Sequence, residues 1–109
     1  MDNKTSGRVP DHLARVYFER RQVDLADLAR LLHARDYYAI ANIGHRLYGS
    51  GGAYGFPRIS TLGQQLEAAA NSCDFGKLLG LVDALRECVN DEIPRHWNID
   101  PSQEVGPVS

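Results

Sequence analysis

Asn42-Ile43-Gly44-His45-Arg46-Leu47-Tyr48-Gly49-Ser50-Gly51-Gly52-Ala53-Tyr54-Gly55-Phe56 is the stretch on which the reading of this chain turns, and it holds five of the ten glycines and one of the four histidines. Phased at roughly 100° per residue, the bulky apolar residues Ile40, Ile43, Leu47 and Tyr54 fall within about 60° of one another, with Gly44 and Gly51 beside them. His45 points about 150° away from their centre, toward solvent. Tyr38, Ala41, Gly49 and Gly52 share its face, and most of these are too small to cover an imidazole ring.

Each glycine inside a helix costs about 0.5–1 kcal/mol relative to alanine, so Gly44, Gly49, Gly51 and Gly52 together cost about 2–4 kcal/mol. Close packing of helices accounts for Gly44 and Gly51 on the apolar side. Gly49 and Gly52 lie on the histidine's side, where the close approach of a partner protein is the reason that remains. The competing reading is that Gly49-Ser50-Gly51-Gly52 forms a phosphate-cradling loop. A P-loop needs G-x-x-x-x-G-K-[ST], and no Lys-Ser or Lys-Thr follows these glycines, so the helix is preferred.

Working outward, Asp36 is suited to cap the start of this helix, Gly55 to end it in a left-handed turn, and Pro57 to open the next. Before it, Asp11 to about Arg35 contains no Gly or Pro. Leu13, Tyr17, Leu25, Leu28, Leu31 and Leu32 keep to one stripe there, predicting one long helix or two nearly in line, with a break expected near Arg21-Gln22-Val23 in the second case. After it, Ile59, Leu62, Leu66, Ala69 and Ala70 mark the buried side of a helix to about Asn71. Asp74 caps a last helix with Leu78, Leu81, Val82, Leu85, Val89 and Ile93 inward, which Pro94 is expected to end or bend. The expected organisation is a loose leader over residues 1–9, a helical domain over 10–96 and a flexible tail over 97–109. The fold class is all-α: an antiparallel four-helix bundle with short loops, its first helix able to form an N-terminal extension.

One hundred and nine residues make one domain with one core. A net charge of −2 with scattered arginines argues against nucleic acid as a partner. No apolar run reaches membrane-span length and no signal peptide opens the chain, so the expectation is a cytoplasmic protein without a membrane partner. Cys73 and Cys88 are read as small unpaired residues. His12, His33 and His96 make no ligand spacing with His45, so no metal site is expected.

His45-Arg46-Leu47-Tyr48-Gly49-Ser50-Gly51-Gly52-Ala53-Tyr54-Gly55-Phe56, followed by Leu62-Gly63-Gln64-Gln65-Leu66-Glu67, resembles the histidine-containing phosphotransfer (HPt) domain of multistep two-component signalling. The looser likeness runs from about Pro10 to His96. The resemblance implies that His45 is a phospho-acceptor, its Nε2 taking a phosphoryl group from an aspartyl phosphate on one receiver domain and passing it to another. It implies receiver domains of hybrid sensor kinases and response regulators as partners, no cofactor of the chain's own, and Mg²⁺ held by the receiver. A phosphocarrier is implied, with no nucleotide signature for an autonomous kinase.

The resemblance also implies a second residue, because chemotaxis-kinase members place a glutamate twenty-two positions after the histidine, bonded to Nδ1. Glu67 stands at that offset, with Gln64 one turn earlier. The chain departs from the family at Tyr48, where lysine is usual; Arg46 and Arg58 are the residues able to replace its charge. Receiver docking is expected to use Tyr38, Ala41, Arg46, Tyr48, Gly49 and Gly52. A monomer is expected. The alternatives are a non-catalytic helical adaptor that docks receivers without phosphotransfer, and a bundle that dimerises through its glycine-lined face.

Overall fold

The computed structural model describes residues 10–97, the side chains of Asp11 and of residues 93–97 excepted. Four helices follow one another: α1 (Asp11–Ala34), α2 (Tyr37–Tyr54), α3 (Pro57–Asn71) and α4 (Phe75–Trp97), with no strand among the described residues. The connections are two or three residues long, which turns each helix back on its predecessor and gives the antiparallel four-helix bundle. Each helix packs against two neighbours in the ring α1–α2–α3–α4. The expected leader, residues 1–9, and the tail from residue 98 lie outside the described residues.

Local chemistry sets the helix ends. The Asp36 carboxylate accepts from the Ala39 amide at 3.1 Å, holding one of the donors that a helix N-terminus leaves free. Gly55 closes α2 at φ 83°, a backbone conformation that a side chain would strain. The amide of Phe56 then donates back to the Gly51 carbonyl at 2.7 Å. Pro57 follows in the first turn of α3, where its missing N–H is no loss. Asp74 caps α4, accepting from the Lys77 amide at 3.1 Å.

The apolar stripes meet in one core, in which Phe18, Leu28, Ile40, Leu47, Ile59, Leu66, Leu78 and Leu85 are fully buried. Tyr17 closes the end of the core where α1 meets α2, stacked on Tyr54 at 4.6 Å and on Phe56 at 5.2 Å. Cys73 is exposed, Cys88 is buried, and both are free thiols.

Three features of the helices bear on the expectations. α1 is one continuous helix, the first of its two expected forms, and at Arg21-Gln22-Val23 it turns Arg21 inward, where its Nε donates to Asp24 Oδ2 at 2.8 Å, one turn on. Leu13 is 40% exposed: it lies at the edge of the stripe, in the first turn of α1. Of the two effects expected of Pro94, an end to α4 does not occur: the helix continues to Trp97, the residue at which the tail was expected to start. A proline removes one intrahelical bond, and this close to a helix end few further bonds are put at risk.

α2 and α3 touch backbone to backbone. A Cβ added to Gly44 would lie 2.7 Å from both the Glu67 amide nitrogen and the Gly63 carbonyl oxygen. One added to Gly63 would lie 2.5 Å from the Tyr48 nitrogen, and one on Gly51 2.5 Å from the Ser60 nitrogen. No side chain fits at these three points. The Ser60 hydroxyl completes the joint by donating to the Tyr48 carbonyl at 2.8 Å.

Candidate functional site

α2 is helical from Tyr37 to Tyr54, so the glycine cluster is helix and not a loop. Its apolar residues Ile40, Ile43 and Leu47 are buried, which fixes the rotation of the helix and turns His45 outward. The imidazole is 70% exposed. Beside it Gly49 has open space, with nothing within 4 Å of an added Cβ, and Gly52 would meet only the Ser60 hydroxyl at 3.8 Å. At these two positions the surface is bare backbone.

Glu67 reaches the imidazole from α3. Its Oε1 lies 3.3 Å from His45 Nδ1, across a gap of twenty-two residues. The crossing at Gly44 explains how: with the Glu67 amide packed against α2 backbone, the carboxylate needs only its own length to arrive. A carboxylate accepts, so this contact places the imidazole proton on Nδ1 and leaves the Nε2 lone pair facing solvent. Gln64, one turn earlier on α3, stays exposed, and the contact falls to Glu67.

The rim of the site holds two aromatic residues. Tyr38 is 79% exposed and Tyr48 is 45% exposed. Ala41, expected on the docking face, is instead part of the core at 8% exposure. Helical phase sets it between His45 and Gly44, on the flank where α3 approaches, and a methyl group is too short to emerge from so close a crossing. Arg58 does not serve the histidine either. It turns to α4, its Nη1 3.4 Å from Asp91 Oδ2, roughly 13 Å along α3 from Glu67 at 1.5 Å per residue.

Arg46 extends toward α1, its exposed guanidinium reaching within 4.0 Å of Asp24 Oδ1. Behind it lies a polar cluster that the sequence reading missed. Arg21 and Asp24 are the buried charged pair of the described core. Arg21 also lies over the Tyr17 ring at 4.3 Å, and the Tyr17 hydroxyl is 3.1 Å from Ser50 Oγ on α2. Burial raises the Tyr17 phenol above its ordinary value, while the Ser50 hydrogen bond and the Arg21 charge pull the other way. The signal was present in the spacing: Arg21 and Asp24 stand four and seven positions after Tyr17, on the stripe that continues to Leu28. Their charge argued for solvent, and their phase for the interior.

Chemically, the arrangement offers a protruding imidazole with one nitrogen anchored and the other free, on a rigid helix, within a surface shaped for close approach. Among the described residues no three metal-ligating side chains converge, and no helix is long and apolar enough to cross a membrane. Residues 12–93 match the family model of the Hpt domain. Neither the curated proteins nor the solved structures include a match to the chain.

Proposed function

Because the chain belongs to the Hpt domain family, whose members act in phosphotransfer within phosphorelays, we propose that it carries a phosphoryl group on His45 between receiver-domain aspartates. The observation that supports this reading most directly is the Nδ1 contact to Glu67 at 3.3 Å, which directs the other imidazole nitrogen outward as a nucleophile.

In the forward step the Nε2 lone pair attacks the phosphorus of an aspartyl phosphate. The Nε2–P bond forms, the P–O bond to the aspartate breaks, and the carboxylate leaves with the bonding electrons. Nδ1 keeps its proton throughout, and the Glu67 carboxylate offsets the positive charge that the ring acquires. The return step runs the same bonds in reverse onto a second receiver. Gly49 and Gly52 let the receiver's rim come close to the imidazole, and Tyr38 and Tyr48 supply apolar contact at its edge. The carrier works as a monomer in the cytoplasm.

Incubation with phosphorylated receivers tests the reading. Acid-labile label is expected on the wild type and absent from His45→Gln. Label persisting on His45→Gln overturns the site. Receiver binding without any label on the wild type replaces the carrier with an adaptor, the reading that the tyrosine at position 48 favours.

A further inference from the structure

A phosphoryl group on Nε2 brings roughly two negative charges at neutral pH to a place where Glu67 already holds one. Positive charge close by is needed to keep that state from being penalised. Arg58 is paired with Asp91 on α4. Arg46 is adjacent to His45 in sequence, its guanidinium is exposed, and its contact with Asp24 is long at 4.0 Å. Asp24 is already served by Arg21 at 2.8 Å, so Arg46 is a second cation at a carboxylate whose charge is largely met. The donors of Arg46 are therefore open to a stronger anion.

We propose that Arg46, resting against the buried Arg21–Asp24 pair, is the cation that meets the phosphoryl group on His45, with Asp24 as the carboxylate that holds it at α1 until that group arrives. The inference rests on His45 being the acceptor. The buried pair has a part in this: Arg21 and Asp24 offset the cost of burial by bonding each other, and the pair keeps the second carboxylate oxygen of Asp24 within reach of Arg46. In the unphosphorylated protein that oxygen holds Arg46 beside α1, away from the imidazole face. The phosphoryl group, with more charge and three acceptor oxygens, draws the guanidinium across.

The test needs no receiver. Phosphoramidate transfers its phosphoryl group to an imidazole: Nε2–P forms, the P–N bond of the reagent breaks, and ammonia leaves with the proton. The intact, labelled chain is titrated by ³¹P NMR, which reads the ionisation midpoint of the phosphoryl group. Arg46→Gln is expected to raise that midpoint by roughly half a pH unit, the effect of one charge about 6 Å away in water. Arg46→Lys restores at least half of the shift, and Arg86→Gln, on α4, leaves the midpoint in place. In an Asp24→Asn background, where no competing carboxylate holds Arg46 at α1, the Arg46→Gln shift grows. An Arg46→Gln midpoint equal to wild type, or an equal shift from Arg86→Gln, overturns the proposal while leaving His45 as the carrier. Full additivity of the two substitutions removes Asp24 from it. Absence of label on His45 removes the acceptor reading and this inference with it.

Discussion

His45 Nδ1 and Glu67 Oε1 stand 3.3 Å apart and join α2 to α3 at the surface, beside a crossing where Gly44 and Gly63 let the two main chains meet. The pair fixes which imidazole nitrogen carries the proton. Glu67→Ala is expected to release that choice, and ¹⁵N NMR of the imidazole should change from one dominant tautomer to a mixture. Phosphotransfer should slow about five-fold, the equivalent of one hydrogen bond of ~1 kcal/mol. An unchanged tautomer ratio would show that the carboxylate does not direct the ring.

The two kinds of glycine around the site should respond oppositely to alanine. Gly63→Ala forces a Cβ to within 2.5 Å of the Tyr48 nitrogen, so the helices must separate; a loss of about 1–3 kcal/mol in urea unfolding is expected, together with loss of the His45–Glu67 contact. Gly49→Ala meets nothing and should stabilise the fold by about 0.5–1 kcal/mol while slowing transfer to receivers. A Gly49→Ala protein that transfers at the wild-type rate would mean that receivers do not approach over this residue.

Tyr48 is exposed, and its side chain is free to change without touching the core. Tyr48→Lys should leave stability within about 0.5 kcal/mol and speed transfer up to about five-fold, the contribution of one exposed charge pair. Rate and phosphohistidine lifetime both unchanged would show that the position is not electrostatically coupled to the histidine.

Alkaline pH should weaken the fold through Tyr17. Its phenol is raised from 10.0 by burial, so the folded chain keeps a proton that the unfolded chain gives up. The stability is therefore complete below pH 10 and declines as the pH rises from there through the higher folded value. Cys88, raised from 9.0 by burial, acts in the same direction from a lower pH. Urea unfolding of wild type and Tyr17→Phe at about pH 8 and pH 11 isolates the phenol: the variant should lose less stability over that interval, and equal losses would contradict it.

The helices could be read from the chain because apolar spacing agreed with capping carboxylates and Gly or Pro punctuation at the three connections: Asp36, Gly55, Pro57 and Asp74 each end or begin a helix as their chemistry dictates. The outward turn of His45 followed from the same periodicity. What the periodicity of one helix cannot give is the approach of another. Ala41 lies close to His45 in phase but is buried, on the Gly44 side of α2, and Gly44 meets Gly63 nineteen positions away. Arg21 and Asp24 were missed for a different reason. Charge predicts exposure for one residue at a time, and their inward orientation is tolerable only because each satisfies the other. Leu13 shows the converse, an apolar residue in phase with the core but set in the first turn of α1, at its edge.

The Gly44–Gly63 crossing also decides what kind of joint the site is built on. Leucine-filled contacts can exchange rotamers and breathe, whereas two main chains in direct contact have no such slack. The separation of His45 from Glu67 is thus referenced to a seam where main chain meets main chain. Glu67 therefore meets the imidazole from a backbone position set by glycines, not by the rotamers of intervening side chains.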